Sequence, residues 1–199
     1  MNGKPSRKTI RNRRIALIAA FLALLIALGF IISNVVRRKV EQRAYQLVYT
    51  EEIAAMAEKY ALDAYFVCAV VKVESGGRAD VVSPAGAVGL MQVMPATGEW
   101  IAKKLQMENY GEHMLTDPKI SMEMGCWYLR FLLDRYGQNW KHALAGYNAG
   151  QGTVDKWLQD DAYSTDGELT NIPYPETDQY VTKVMHAYEK YKEFYPDAF

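Results

Sequence analysis

An uncharged stretch of 22 residues, from Ile15 to Val36, constrains this chain more than any other part of its sequence. Its first part, Ile15 to Ile32, is apolar throughout. As an α-helix the 22 residues would be about 33 Å long, enough to cross a hydrocarbon layer of about 30 Å. A helix this uniformly apolar does not suit the core of so small a domain. The sequence therefore predicts a transmembrane helix over residues 15–36.

The alternative interpretation of this stretch is a cleaved signal peptide, for which Ala27-Leu28-Gly29 supplies small residues. The apolar run continues through Phe30-Ile31-Ile32, and no polar region precedes such a cut. These two features favour an uncleaved anchor.

Basic residues flank the stretch on both sides, and the N-terminal flank is the stronger and lacks acids. Six precede it (Lys4, Arg7, Lys8, Arg11, Arg13, Arg14) and four follow (Arg37, Arg38, Lys39, Arg43). The positive-inside rule then places the N-terminus in the cytoplasm. We expect a basic cytoplasmic tail at 1–14, the anchor at 15–36, a helical juxtamembrane linker at 37–49 and an extracytoplasmic domain at 50–199.

The charges are segregated although the formal net charge is zero. Residues 1–43 carry ten Lys and Arg and one acid, a balance of +9, which leaves −9 for the rest of the chain. An acidic domain argues against nucleic acid as a partner, because phosphate contacts need Lys and Arg.

Capping residues and apolar periodicity predict an all-α domain at 50–199, since no alternating strand pattern extends beyond a few residues. Predicted helix starts are Thr50 as an N-cap, Asp63, Pro95, Asp117-Pro118, Asn139 and Pro175-Glu176. Gly76-Gly77 should end the second of these helices. Residues 76–88 and 159–173 read as loops, the latter at the surface.

The cysteines and histidines give no metal signature. Cys68 and Cys126 lie in apolar helical runs, where a disulfide and two buried free thiols are both open. His113, His142 and His186 are isolated and are expected at the surface or at the edge of the core. No metal or organic cofactor is implied.

Glu74 is the candidate catalytic residue. It follows the apolar run 69–73 and precedes Ser75-Gly76-Gly77, so it should lie at the end of a buried helix, beside a chain break. A carboxyl group set partly in an apolar wall holds its proton more tightly than in water, as the acid in glycoside cleavage must. Taken alone, Glu74 fits a solvent-facing helix end better.

Two further segments have unusual composition. The first is Gly89-Leu90-Met91-Gln92 followed by Met94-Pro95, and the second is residues 145–150, Ala-Gly-Tyr-Asn-Ala-Gly. The glycines allow close backbone approach. Gln92 and Asn148 bring amide groups that suit acetamido and hydroxyl groups, and Tyr147 brings an amphipathic ring.

Taken in order with Val73-Glu74-Ser75, residues 83–95 and Pro175-Glu176-Thr177 before Tyr180-Val181, these segments resemble the signature of soluble-lytic-transglycosylase-type enzymes. The resemblance covers most of residues 60–190 and implies a goose-lysozyme-like fold. Gly146 stands where that family usually has Ala, which we expect to matter little. The anchor lies outside the resemblance.

This resemblance implies cleavage of peptidoglycan glycan strands between N-acetylmuramic acid and N-acetylglucosamine, leaving a 1,6-anhydro end. Glu74 would act first as acid and then as base. Ser83, Gln92, Met94, Tyr147 and Tyr180 would line the glycan groove. Ser75 and Asn148, which lie in the motifs, are further substrate-binding candidates.

Two other functions stay open at this point. A hydrolytic muramidase on the same scaffold would need a second carboxylate, and the nearest candidate, Asp80, is expected to be a solvated charge. A non-catalytic glycan-binding or assembly protein would be expected to lose the acid that Glu74 supplies. The sequence also leaves open the biological setting and any partner in cell-wall or secretion machinery.

Overall fold

The computed structural model describes residues 7–199, without the side chains of residues 7, 9–11, 13–15 and 19. Residues 1–6, with Lys4 of the predicted basic tail, lie outside the described residues. The chain divides into two compact units, one ending at Gln46 and the other spanning Leu47–Phe199.

Helix α1 spans Arg7–Ala44. Its segment Ala16–Ala44 is the one helix of residues 7–199 that is long and apolar enough to cross a membrane. Its large apolar side chains from Leu17 to Val40 are exposed. The helical continuation predicted for 37–49 is therefore found as far as Ala44, and residues 45–49 are not helical.

The second unit is built mainly from helices, as predicted. They are α2 Thr50–Lys59, α3 Ala64–Glu74, α4 Pro95–Lys104, α5 Pro118–Arg135, α6 Trp140–Ala149, α7 Gln151–Leu158 and α8 Pro175–Phe194. A 3₁₀ turn covers Glu112–Thr116. Strands β1 Ser164–Thr165 and β2 Glu168–Leu169 pair antiparallel as a short hairpin.

Most of the predicted helix starts are confirmed, because the capping side chains act on backbone groups only two or three residues away. Asp63 accepts from the backbone N–H groups of Tyr65 and Phe66, and Asp117 and Asn139 cap α5 and α6 in the same way. The prediction for Thr50 was wrong, because Thr50 is already helical and Tyr49 holds the cap position with a left-handed backbone. Helix α7 was not predicted.

The predicted surface loop 159–173 contains the hairpin and three buried side chains: Ser164, Leu169 and Ile172. His142 of α6 lies beneath the hairpin, and its Nε2 accepts the Leu169 N–H at 3.1 Å. His142 is therefore buried, against the expectation of a surface or core-edge position.

Helices α3 and α8 form the most extensive helix pair; α6 packs against α8, and α5 packs against α6. The six consecutive α3 residues from Phe66 to Val71 are all buried, so this part of the helix lies inside the core. Cys68 and Cys126 lie within this core as free thiols, so of the two alternatives the structure has the unbridged one. Burial raises the pKa of Cys68 to about 12 and that of Cys126 further still.

A loop from Gly76 to Met94 connects α3 to α4. Val88 forms isolated antiparallel β-bridges with both Val82 and Val93, so the loop folds back on itself. Gly89 has φ +83, and a Cβ there would lie 1.9 Å from the Leu115 carbonyl oxygen. Only glycine permits this approach, which brings Leu90 and Met91 fully into the core.

Candidate active site

Glu74 is the last residue of α3 and is only partly exposed. Burial raises the pKa of its carboxyl group from 4.5 to about 7, and a hydrogen bond from Tyr180 opposes part of the rise. No second carboxylate contributes to this shift among residues 7–199. A carboxyl group with a pKa near neutrality can both donate and accept a proton.

Two tyrosines accompany Glu74. The Tyr180 hydroxyl, from α8, donates to Glu74 Oε1 at 2.7 Å. The Tyr147 hydroxyl, from α6, donates to the Met91 carbonyl at 2.8 Å. Burial, and then the charge of Glu74, hold the pKa of both phenols well above its ordinary value. Both phenols therefore remain protonated hydrogen-bond donors, Tyr180 to the acid and Tyr147 to the Met91 carbonyl.

A pocket of about 240 Å³ adjoins Tyr147 and is lined by residues of three segments. Its lining residues are Gln92, Val93, Met94, Thr97, Tyr128, Tyr147, Asn148, Ala149 and Gly150. Four predicted site residues, Gln92, Met94, Tyr147 and Asn148, therefore share one pocket. Met94 is 43% exposed, so its thioether side chain remains accessible to a ligand.

Gln92 and Ser83 also shape the loop before α4. Gln92 takes a left-handed backbone conformation with φ +47, and its side-chain amide donates to the carbonyls of Val81 at 3.0 Å and Gly89 at 2.8 Å. The Ser83 hydroxyl accepts from the Ala87 N–H at 2.9 Å. Ser83 does not line the pocket that holds Gln92 and Met94.

Ser75 and Asn148 make contacts of different kinds. Ser75 is 3% exposed, and its hydroxyl donates to the Val71 carbonyl and accepts from the Gly77 N–H. It thereby fastens the end of α3. Asn148 is exposed, and its Oδ1 accepts from the Thr177 hydroxyl at 2.7 Å, which links α6 to the start of α8.

Sequence reasoning missed Thr97, Tyr128 and Thr177 as residues of this region. Thr97 and Tyr128 line the pocket, and Tyr128 packs against Tyr147 with ring centroids 5.4 Å apart. Thr177 lies inside the motif Pro175-Glu176-Thr177, so its place in the site could have been predicted from that motif. Tyr128 lies in an ordinary amphipathic helix pattern, and nothing in its spacing distinguishes it from core.

Comparisons with known proteins identify the class. The Transglycosylase SLT domain family matches residues 51–169, more than half of the chain. The chain therefore belongs to this family, which agrees with the resemblance recognised in the motifs and with a lysozyme-like helical fold.

Three particular proteins are similar to it. The soluble lytic murein transglycosylase of Salmonella typhimurium is 33% identical over 75% of this chain and 24% of its own length. The membrane-bound lytic murein transglycosylase C of Actinobacillus pleuropneumoniae is 27% identical over 81% of this chain and 50% of its own length.

The third is the X-ray structure of an inactive glutamate-to-glutamine mutant of lytic transglycosylase Slt from Pseudomonas aeruginosa. It superposes with a TM-score of 0.67 at 29% identity, over 75% of this chain and 24% of that chain. This chain thus spans about a quarter of the length of the first and the third of these proteins.

Proposed function

We propose that this chain is a membrane-anchored lytic transglycosylase that cleaves peptidoglycan between N-acetylmuramic acid and N-acetylglucosamine without water. Glu74 is the general acid and then the general base. The observation that carries the proposal is the Glu74 carboxyl group, partly buried at the end of α3, with a pKa of about 7 and a phenol hydrogen bond. Family membership supports the same chemistry.

The reaction needs one protein carboxyl group, because the substrate supplies the nucleophile. Protonated Glu74 gives its proton to the glycosidic oxygen as the bond to the muramic C1 breaks. The C6 hydroxyl of the same sugar then attacks C1, and Glu74 takes the hydroxyl proton. The product is a 1,6-anhydro ring. Intramolecular attack of this kind gains several kcal/mol from proximity.

The protonation state of Glu74 suits both steps. A carboxyl group with a pKa of about 7 is substantially protonated at neutral pH, so it can start as an acid. The Tyr180 hydroxyl favours the carboxylate that forms after the first transfer, because it donates to Oε1. The site is thereby balanced between the two forms.

Substrate binding relies on stacking and hydrogen bonds in this proposal. The chain after residue 43 carries a net charge of −9, so nonspecific attraction to an anionic wall polymer supplies no affinity. The pocket beside Tyr147 offers an aromatic wall, the Asn148 amide, the side-chain oxygen of Gln92 and the exposed Met94 side chain. Such a surface suits acetamido sugars.

In this proposal helix α1 anchors the catalytic domain to a membrane. Helix α1 has the length and apolar composition to span a bilayer, and one relative is described as membrane-bound. The stronger basic flank before the helix favours a cytoplasmic N-terminus and an extracytoplasmic domain. Protease treatment of intact protoplasts should remove an epitope after Phe199 and spare one before Met1. The reverse pattern would contradict this orientation.

The decisive experiment is the product mass from purified peptidoglycan treated with the full chain in detergent. The wild type should release muropeptides with anhydro ends, each one water lighter than a reducing end. Glu74→Gln should release none while keeping the wild-type circular dichroism spectrum. Reducing ends from the wild type would show a hydrolytic muramidase instead, and no release would favour a non-catalytic glycan-binding protein.

A further inference from the structure

The turn from Gly89 to Gln92 has a fully buried centre, so its backbone groups need partners. The Gln92 N–H donates to the Gly89 carbonyl at 3.2 Å, which closes a β-turn with Leu90 and Met91 at its centre. Both central side chains are fully buried. The closing hydrogen bond does not use the Met91 N–H, and a buried N–H without a partner is costly. Met91 therefore depends on groups outside the turn.

Two helices supply the partners of Met91. The Ser121 hydroxyl of α5 accepts from the Met91 N–H at 3.1 Å. The Met91 carbonyl accepts from the Tyr147 hydroxyl of α6 at 2.8 Å. Ser121 is itself fully buried, with an exposed fraction of 0%. Both backbone groups of Met91 are therefore bound by side chains, one from α5 and the other from α6.

The face of α5 that carries Ser121 also contacts the rest of this region. Ser121, Gly125 and Tyr128 are spaced four and three residues apart, so they lie on one face of the helix. A Cβ at Gly125 would lie 2.4 Å from Met91 Sδ, so a larger residue there would displace Met91. The Tyr128 ring packs against the Tyr147 ring at 5.4 Å. This face of α5 thus fixes Met91 through Ser121 and contacts Tyr147 directly.

The Met91 carbonyl decides what the Tyr147 hydroxyl can offer a ligand. A phenol has one proton, and the Met91 carbonyl accepts it, so the Tyr147 oxygen is left as an acceptor. Tyr147 lines the pocket that also holds Gln92 and Met94. If the carbonyl moved away, the phenol proton would turn to another partner. A ligand in this pocket would then meet a differently oriented hydroxyl.

We propose that Ser121 is a positioning residue for substrate binding. It holds the Met91 backbone in place, so that the Met91 carbonyl orients the Tyr147 hydroxyl in the pocket. Because Ser121 is fully buried, it acts through Met91 and does not touch the substrate. The reaction that Ser121 serves rests on the proposed function, whereas its effect on Tyr147 does not.

The first measurement reports on the Tyr147 hydroxyl and requires no turnover. The full chain in detergent is labelled with tyrosine carrying ¹³C at Cζ, and the Tyr147 NMR signal is assigned by its loss in Tyr147→Phe. Ser121→Ala should move this signal, because the phenol loses its fixed acceptor. Ser164→Ala is the matched control, since Ser164 is also a buried serine whose hydroxyl bonds to the backbone, at the Leu158 carbonyl. It should leave the signal unchanged.

The second measurement is the kinetics of anhydro-product release from soluble glycan strands. Ser121→Ala should raise KM about fivefold, the range of one hydrogen bond, with kcat nearly unchanged. The alkaline limb of kcat/KM should stay in place, because burial and Tyr180 set the pKa of Glu74. In a Tyr147→Phe background Ser121→Ala should add little, since the hydroxyl that Ser121 positions is already gone.

The outcomes separate the role of Ser121 from the reaction itself. An unmoved Tyr147 signal in folded Ser121→Ala would overturn the positioning role, and so would a KM effect that persists in full in Tyr147→Phe. If Ser121→Ala does not fold, Ser121→Cys replaces it, because a thiol is a weak acceptor at the same position and should move the signal less. If the wild type yields no anhydro ends while the signal still moves, the proposed reaction fails and the positioning of Tyr147 by Ser121 stands.

Discussion

The Tyr180 hydroxyl donates a 2.7 Å hydrogen bond to Glu74 Oε1 across 106 positions of sequence. This contact joins the end of α3 to the first turns of α8, the most extensively packed helix pair of the domain. It also opposes the effect of burial on the pKa of Glu74, because a phenol that donates to a carboxylate favours the ionised form. The pKa of Glu74 therefore depends on the packing of α8 against α3, which positions the Tyr180 hydroxyl.

The pH dependence of wall cleavage should follow Glu74. Because the acid must be protonated in the free enzyme, kcat/KM should fall as pH rises through about 7. In Tyr180→Phe the pKa of Glu74 should rise, so this decline should move to higher pH, while activity at low pH falls about tenfold through lost positioning. Anhydro-product release measured from pH 5 to 9 tests both. An unmoved alkaline limb in Tyr180→Phe would contradict the assigned hydrogen bond.

Glu74 should also make the fold less stable as pH rises. Its folded pKa of about 7 lies above the ordinary 4.5, so its contribution to stability is fully present below 4.5 and is lost as pH rises through about 7. The loss reaches at most about 3 kcal/mol. Urea unfolding of Glu74→Gln and wild type at pH 5 and pH 8 should show the variant gaining relative stability at pH 8. A constant difference would mean that Glu74 is well solvated in the folded state.

The sequence predicted those features that depend on nearby residues. Asp63, Asp117 and Asn139 cap helices through backbone N–H groups two or three positions away. Each cap can therefore be recognised from a few consecutive residues of the sequence. Helix α7 was missed because it begins at Gln151-Gly152-Thr153, directly after Gly150, which looks like a loop. The hairpin at 164–169 was missed because two-residue strands carry no alternation.

In the candidate site, too, the features that depend on nearby residues were predicted, and those that depend on tertiary packing were not. The position of Glu74 at a helix end follows from the apolar run and the glycines after it. Its partner Tyr180 was expected in the groove, yet a direct bond to the acid depends on tertiary packing, which no local pattern encodes. His142 likewise looked isolated in the sequence. Its burial depends on the hairpin that lies over it, whose Leu169 N–H donates to His142 Nε2.

The Asp63 carboxylate should stabilise the fold by more than an ordinary helix cap. Its Oδ1 accepts from Tyr65 and Phe66 N–H, and its Oδ2 accepts from the Tyr188 hydroxyl of α8 at 2.9 Å. Asp63→Ala should cost about 2 kcal/mol of unfolding free energy, and Tyr188→Phe about 1 kcal/mol. Asp63→Asn is the control, since it keeps the cap. Chemical denaturation of the three variants checks this, and an equal loss for Ala and Asn would refute the capping role.

Gly89 should be the least replaceable glycine of the loop before α4. Alanine there would place its Cβ 1.9 Å from the Leu115 carbonyl oxygen and 2.8 Å from Ser121 Oγ, at a φ of +83. Gly89→Ala should therefore destabilise the domain by more than about 4 kcal/mol. It should also disturb Tyr147, because the Met91 carbonyl that accepts the Tyr147 hydroxyl follows two residues later.

The matched control for Gly89→Ala is Gly152→Ala in α7, where nothing lies within 4 Å of the added Cβ and φ is not left-handed. This substitution should be neutral or stabilise by at most about 1 kcal/mol, because alanine favours helix over glycine. Thermal unfolding of both variants, followed by circular dichroism, compares them directly. Similar melting temperatures for the two variants would show that the loop can shift away from Leu115, and the close approach at Gly89 would then not hold the pocket in place.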